Sequence, residues 1–337
     1  MRNLRGFTYG DILDLVSSLG ERPYRASQIY GWLYAGKAPS IDAMTDISTA
    51  LRQRLKSALY IGPLEITAVM ESSDGTRKLV FRLDDGAGIE SVVIPGGART
   101  TLCVSSQVGC ALACAFCLTG AMGFKRNLSL AELTGQVFSA GEVLAGGPEL
   151  TNIVLMGMGE PLLNCDNVVK FVNILTDAKG FGFSHNKVTV STAGIIPGIK
   201  RLGEETDANL AVSLNAPDDE LRSALMPVNK KYPLADLIEA LEAYPLKGKR
   251  RITVEYVLLG GVNDADSHAV ALKKILARIR CKVNLIPFNV YPGAVFRSPE
   301  EDRVFRFADI LRSAGYTVVI RKSKGAGIGA ACGQLKG

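Results

Sequence analysis

Apolar residues recur along this chain with two different periods, and the change of period marks its parts. In residues 1–60 the period is helical. Thr8-x-x-Asp11 resembles a capping box, Ile12, Leu15, Val16 and Leu19 follow on one face, and Gly20 stops the run. Pro23 opens a second helix carrying Ile29, Leu33 and the aromatics Tyr30, Trp32 and Tyr34. A third, over residues 48–59, sets Leu51, Leu55 and Leu59 on one stripe. The aromatics suit packing among short helices better than stacking on bases. Across residues 64–105 the period becomes two. Strands are predicted at 64–69, 78–83, 89–94 and 101–105, with turn signals at Ser73-Asp74-Gly75 and Asp84-Asp85-Gly86.

Beyond residue 128 the two periods alternate. Ser129-x-x-Glu132 caps a helix bearing Leu130, Leu133, Val137 and Leu144. Strands follow at 153–156, 187–190, 210–214, 251–258, 282–286 and 317–321, and helices at 166–178, 196–202, 234–243, 267–278 and 299–314. This β-α rhythm predicts parallel strands in a barrel or open sheet. Residues 325–337 are rich in glycine and alanine with no packing pattern, so the tail is expected to be mobile unless something holds it.

In α/β folds the site gathers beyond the carboxyl ends of the strands. Polar groups recur there: Gly157-Met-Gly-Glu-Pro161, Ser191-Thr192, Ser213-Leu-Asn215 and Ile286-Pro-Phe-Asn289 each close a strand. Each alone reads as a turn or a strand cap. Together they suit a zwitterionic nucleoside. Gly157 and Gly159 permit close backbone approach, and Glu160 is placed to accept from an ammonium. Ser191, Ser213 and Asn215 suit a carboxylate or ribose, and Asn289 an adenine edge. No GxxxxGK[ST] occurs, which disfavours a nucleotide-hydrolysing P-loop.

The cysteines sharpen this picture. Cys110, Cys114 and Cys117 stand as C-x3-C-x2-C, with Cys103 seven residues upstream at a predicted strand end. Soft thiolates suit an iron–sulfur cluster or zinc. Zinc sites come as paired C-x2-C knuckles or with histidines, and the two histidines here, His185 and His268, lie far away in sequence. One loop supplying three cysteines to a four-iron cluster leaves one iron open. The chain has seven cysteines, an odd number that argues against a disulfide scaffold. Cys165 and Cys281 sit in apolar surroundings as core residues, whereas Cys332, in the last six residues, is left without a packing role.

Charge points toward a polyanion. The net charge is +6, but residues 228–337 hold 19 basic and 10 acidic side chains, while residues 101–227 hold 8 and 12. The dense spots are Lys230-Lys231, Lys247-Gly-Lys249-Arg250-Arg251 and Arg321-Lys322-Ser-Lys324. A basic face of this kind suits RNA. No run of about 18 apolar residues is present, so no spanning helix is expected. The first residues lack an apolar segment followed by a cleavage site, so an unprocessed, cytoplasmic chain is expected.

The longer motifs resemble one family. Thr101-Leu-Cys-Val-Ser-Ser-Gln-Val-Gly-Cys110, Phe124-x-Arg126-Asn127-Leu128, Gly157-Met-Gly-Glu-Pro-Leu-Leu-Asn164, Val188-Thr-Val-Ser-Thr192, Ile286-Pro-Phe-Asn289 and Ala330-Ala-Cys-Gly-Gln-Leu335 look like the RlmN/Cfr branch of the radical S-adenosylmethionine (SAM) enzymes. Gly20-Glu-Arg-Pro-Tyr-Arg-Ala26 fits as well, so the resemblance spans nearly the whole chain. It implies an α/β fold: a partial (β/α)6 barrel over residues 101–322, an N-terminal helical accessory domain (1–60), a β-rich connector (61–100) and a mobile tail (323–337). It also implies a [4Fe–4S] cluster held by Cys110, Cys114 and Cys117, with one cluster per chain. SAM, two per turnover, would meet Gly159, Glu160, Ser191, Ser213, Leu214, Asn215 and Asn289. Cys332 would take a methyl group and pass its carbon to adenine as a radical, and Cys103 would release the product. Glu90 falls at the position of a base. The implied substrates are 23S rRNA and tRNA, methylated at adenine C2, with an electron donor such as flavodoxin or ferredoxin and a monomeric enzyme. Two departures from the pattern stand out: no acidic residue stands just before Ile328, and Asn215 replaces a common histidine. Two rival readings are a Cfr-type enzyme acting at C8 and a non-enzymatic iron–sulfur or zinc RNA-binding module.

Overall fold

The computed structural model describes residues 1–337. Ten strands form its main sheet: β1 (Glu65–Glu71), β2 (Arg77–Arg82), β3 (Gly88–Gly96), β4 (Arg99–Cys103), β5 (Asn152–Leu155), β6 (Val188–Thr192), β7 (Asn209–Ser213), β8 (Ile252–Leu258), β9 (Cys281–Pro287) and β10 (Val318–Ile320). Each strand lies beside its neighbour in sequence. β1 to β4 form an antiparallel meander. From β4 onward every pairing is parallel. β4 to β9 are six strands each followed by helix, the expected (β/α)6 unit, and β10 adds an edge.

This order has a physical consequence. Parallel strands joined by right-handed crossovers, each added on the same side, put all the helices on one face. That face is apolar: Leu102, Val190, Leu210, Val212, Val254, Tyr256 and Leu285 are all buried. The residues between them, Thr101, Thr189, Ser191, Thr253, Glu255, Lys282 and Asn284, are polar and turn to the inner face. A parallel sheet covered on both faces reads as continuous apolar runs. Here one face is polar because it encloses a site.

The N-terminal helices, Tyr9–Ser18, Tyr24–Tyr34 and Thr49–Lys56, form as the spacing predicts. Thr8 and Asp11 make a reciprocal capping box, as do Ser129 and Glu132 at the start of helix Leu130–Val143. The helical unit is fastened to that second helix. Arg5 lies over the Phe138 ring at 3.9 Å, and the Thr134 hydroxyl donates to the Arg5 carbonyl at 2.8 Å. A single apolar core runs from Leu4 through Tyr34 and Phe138 to Leu335.

Candidate active site

The cysteine loop leaves the sheet at the end of β4. Gln107–Gly109 pairs antiparallel with Phe124–Asn127, and this short ladder closes the base of the loop. Gly109 is required there. Its φ is +73°, and a Cβ would fall 1.9 Å from the Gly123 carbonyl oxygen. The Cys110 amide donates to that same oxygen at 2.9 Å. Cys117 caps the helix Leu118–Ala121, and the Ala115 amide donates to Leu225 at 2.9 Å, which ties the loop to the far side of the barrel. Burial pushes the Cys110 thiol up to about 12 and raises Cys114 further, each with added repulsion from neighbouring acidic groups. Such thiols ionise only when a cation arrives. Cys110, Cys114 and Cys117 all line one cavity, and three soft thiol donors on one loop suit three corners of a [4Fe–4S] cluster. The donor set and its charge demand fit the cluster.

A cavity of about 170 Å³ separates these cysteines from the strand ends. Glu160 lies in its wall, 3% exposed. One carboxylate oxygen accepts from the Leu162 amide at 3.0 Å and the other from the Ala193 amide at 2.7 Å. Burial outweighs these bonds and raises its pKa to about 7. A cationic amine brought to Glu160 therefore meets a carboxyl that gains by ionising. Gly159, at φ +95°, lets the chain pass Gln107: a Cβ would lie 2.5 Å from the Gln107 Cβ. Gly157 packs in the same way on Ser105. The close approach expected of these glycines is made to the chain itself. Ser191 and Ser213 both line the cavity, and the Ser191 hydroxyl bonds the Glu255 carboxylate at 3.1 Å.

Three of the expected contacts differ in how they are presented. Leu214 is fully buried; its amide donates to Glu255 O and its carbonyl accepts from Arg222. Asn215 has φ +61°, and its side-chain oxygen accepts from the Val257 amide at 2.8 Å. Asn215 thus borders the cavity with its side-chain oxygen already engaged, whereas Leu214 lies behind the wall with both backbone groups bonded within the fold. The Asn289 side chain is engaged by the tail: its amide donates to the Cys332 carbonyl at 3.2 Å, and its oxygen accepts from the Ser323 hydroxyl at 2.6 Å.

The tail is held, contrary to what its composition alone predicts. Gly325 N donates to Asp74 at 3.0 Å, Leu118 N to the Gly333 carbonyl at 2.8 Å, and the Thr119 hydroxyl to the Leu335 carbonyl at 2.7 Å. The tail crosses the inner face of β2 and β3 and carries Cys332 to the cluster-side cavity. Glu90 on β3 is not an exposed strand carboxylate. It is 3% exposed, pairs with Lys78 at 3.1 Å and accepts from the Lys336 amide at 3.1 Å. Neither cavity wall includes it.

A second, larger cavity of about 970 Å³ fills the inner face toward the amino ends of the strands. Arg99, Lys249, Arg251, Lys282 and Arg321 line it, so two of the three basic spots seen in the sequence face one space. Cys103 lies in its wall, and Cys332 borders both cavities. Burial raises the Cys103 thiol, whereas Cys332 is exposed. Both are free.

Sequence reasoning passed over Glu255, Lys78 and Arg222. Glu255 borders Cys332 and Cys103 in the narrow space between the cavities. A carboxylate within the apolar run of β8 was the available signal. Arg222, fully buried, binds the Leu214 and Ala193 carbonyls and Asn229, knitting two strand-end loops to the segment after its own helix, Asp219–Leu225. Nothing in its local sequence marks it.

The Radical SAM superfamily profile matches residues 104–272, and the Ribosomal RNA large subunit methyltransferase N-terminal domain matches residues 2–61. The chain is 50% identical over 335 residues to the dual-specificity RNA methyltransferase RlmN of Syntrophus aciditrophicus, covering 99% of this chain and 96% of that one. It is 49% identical over 337 residues to the RlmN of Geobacter sulfurreducens, covering 100% and 92%. A crystal structure of a radical SAM methyltransferase from Sphaerobacter thermophilus superposes with a TM-score of 0.93 at 44% identity, covering 100% and 99%. With similarity of this depth from end to end, the chain belongs to the RlmN family of radical SAM enzymes.

Proposed function

We propose that the chain methylates C2 of adenine in 23S rRNA and tRNA, and that the transferred carbon travels on the sulfur of Cys332. The observation that carries this reading is the position of Cys332, bordering both the cluster-side cavity and the basic cavity. A single thiol there can meet a small donor on one side and a nucleic-acid base on the other.

In this reading Cys110, Cys114 and Cys117 hold the [4Fe–4S] cluster. Glu160, the Gly159 backbone, Ser191, Ser213, Leu214, Asn215 and Asn289 hold SAM. When bound, the cluster and SAM supply a methyl group and a carbon-centred radical, chemistry no side chain provides. The chain positions the parts. Cys332 accepts the methyl group and moves toward the base. Cys103 then attacks the Cys332 sulfur, and the S–C bond to the product breaks with its electron pair left on the product carbon. A proton completes the methyl group there, and the Cys103–Cys332 disulfide is reset by a thiol reductant. Adenine C2 is an electron-poor C–H carbon, so a radical route is needed where nucleophilic attack fails. Two SAM molecules are used per turnover. A small electron carrier such as flavodoxin or ferredoxin serves the cluster, and the enzyme works as a monomer in the cytoplasm. Arg99, Lys249 and Arg251 suit contacts to RNA phosphates.

Nucleoside mass spectrometry tests this reading. RNA treated with the wild-type enzyme gains 2-methyladenosine. Cys332→Ala gives none while keeping the visible absorption of the cluster. Formation of 8-methyladenosine, or normal turnover by Cys332→Ala, refutes it.

A further inference from the structure

Buried ion pairs need a reason, and one here has a purpose beyond the sheet. Lys78 on β2 and Glu90 on β3 share the inner face of the meander, offset diagonally, since Val80 faces Glu90 and Lys78 faces Val92. Their side chains are 6% and 4% exposed, and Nζ lies 3.1 Å from Oε1. What covers them is the tail. Lys78 Nζ donates to the Gly329 carbonyl at 3.4 Å, and the other Glu90 oxygen accepts from the Lys336 amide at 3.1 Å. Gly329 precedes Cys332 and Lys336 follows it, so the pair grips the backbone on both sides of the thiol.

We propose that Lys78 and Glu90 form a latch for the tail, positioning residues that set how often Cys332 leaves its docked place. Glu90 in this role is not a base. Its oxygens hold a cation and a backbone N–H, and it stands outside the cavities.

The choice of charge makes physical sense. An apolar seat would resist opening, because lifting the tail would expose hydrocarbon to water. A buried ion pair is costly while dry and gains hydration when uncovered. The hydrogen bonds lost as the tail lifts are therefore offset by solvation of both charges. Docked and lifted states come closer in free energy, as a thiol serving two spaces requires. The backbone supports such a hinge: Gly325, Gly329 and Gly333 take φ of +65°, +62° and +83°, which other residues adopt at a cost. Removing only one partner penalises the docked state further. The remaining charge is left buried and unpaired under the tail, and docking becomes unfavourable.

Amide hydrogen exchange on the full-length, cluster-loaded protein tests the latch without requiring methyl transfer. Lys78→Met should speed exchange of residues 325–337 by about tenfold or more, the effect of one charge-assisted hydrogen bond. Exchange in β5 to β9 should be unchanged, and Lys78→Arg should restore most of the protection. Glu90→Gln should behave like Lys78→Met. If either single variant fails to fold, the double variant Lys78→Met/Glu90→Leu replaces the pair by an apolar seat and should show the reverse, slower tail exchange than wild type. Wild-type tail protection in Lys78→Met, or tail exchange in the double variant as fast as or faster than wild type, overturns the proposal. So does a Glu90→Gln enzyme with a protected tail, no turnover and an altered pH–rate profile, since that marks Glu90 as a base. Normal methyl transfer by Cys332→Ala with normal tail exchange would sink the catalytic reading alone, so the two ideas fail separately.

Discussion

Glu160 illustrates how a single side chain is tuned for an absent ligand. Its pKa is raised above the usual carboxylate value to about 7, chiefly by burial. A raised carboxyl favours the protonated fold, so its contribution is intact below the unfolded pKa and is lost as pH rises through about 7. The cost is on the order of 3 kcal/mol once the group is fully ionised. In cluster-free, ligand-free protein, urea denaturation should therefore show wild type losing stability relative to Glu160→Gln between about pH 4.5 and 7, then levelling off. A difference that stays flat across that range contradicts the buried ionisation. Glu160, Ser191 and Ser213 were legible in the sequence because each follows an apolar strand, and strand ends are where α/β sites form. The engagement of Asn215 and Asn289 was not. Which way a side chain turns depends on partners such as Val257 and Ser323, which no local pattern ties to them.

Among the elements, the cysteine loop depends most on one backbone position. Gly109→Ala would drive a methyl group into the Gly123 carbonyl at a φ that disfavours it. We expect that variant to fold with near-native far-UV circular dichroism but to take up little cluster, seen as loss of iron and of visible absorption. Full cluster content in Gly109→Ala would show that the loop adjusts freely. Most elements were readable because their patterns are strong. Both capping boxes formed, and the strands and helices of the barrel begin and end close to their predicted limits. The ladder between Gln107–Gly109 and Phe124–Asn127 was not foreseen. Its strands are short and polar, and their register is set by the turn at Gly123 and by Gln107 bonding Asn127 at 2.8 Å, not by alternation.

For the whole molecule, the run of parallel strands followed from periodicity and the partial barrel from the family resemblance, whereas the polar inner face of the sheet was not foreseen. Nor was the docking of the tail. Its partners Lys78, Glu90 and Asp74 lie some 250 residues away in sequence, and glycine-rich composition by itself signals freedom. Docked on these residues, the tail carries Cys332 to the border of the two cavities. No helix is long and apolar enough to cross a membrane, and the basic residues gather at the amino-end cavity, in keeping with a polyanionic substrate.

The path of the carbon can be followed directly. Cluster-loaded protein is given SAM labelled in its methyl group, the Cys332 peptide is weighed, and RNA and reductant are then added for a single turnover. The label should appear on Cys332 first, as one added methyl group, and then leave that peptide as it enters adenine. Labelled adenine formed while the Cys332 peptide never carries the label would contradict the proposed route.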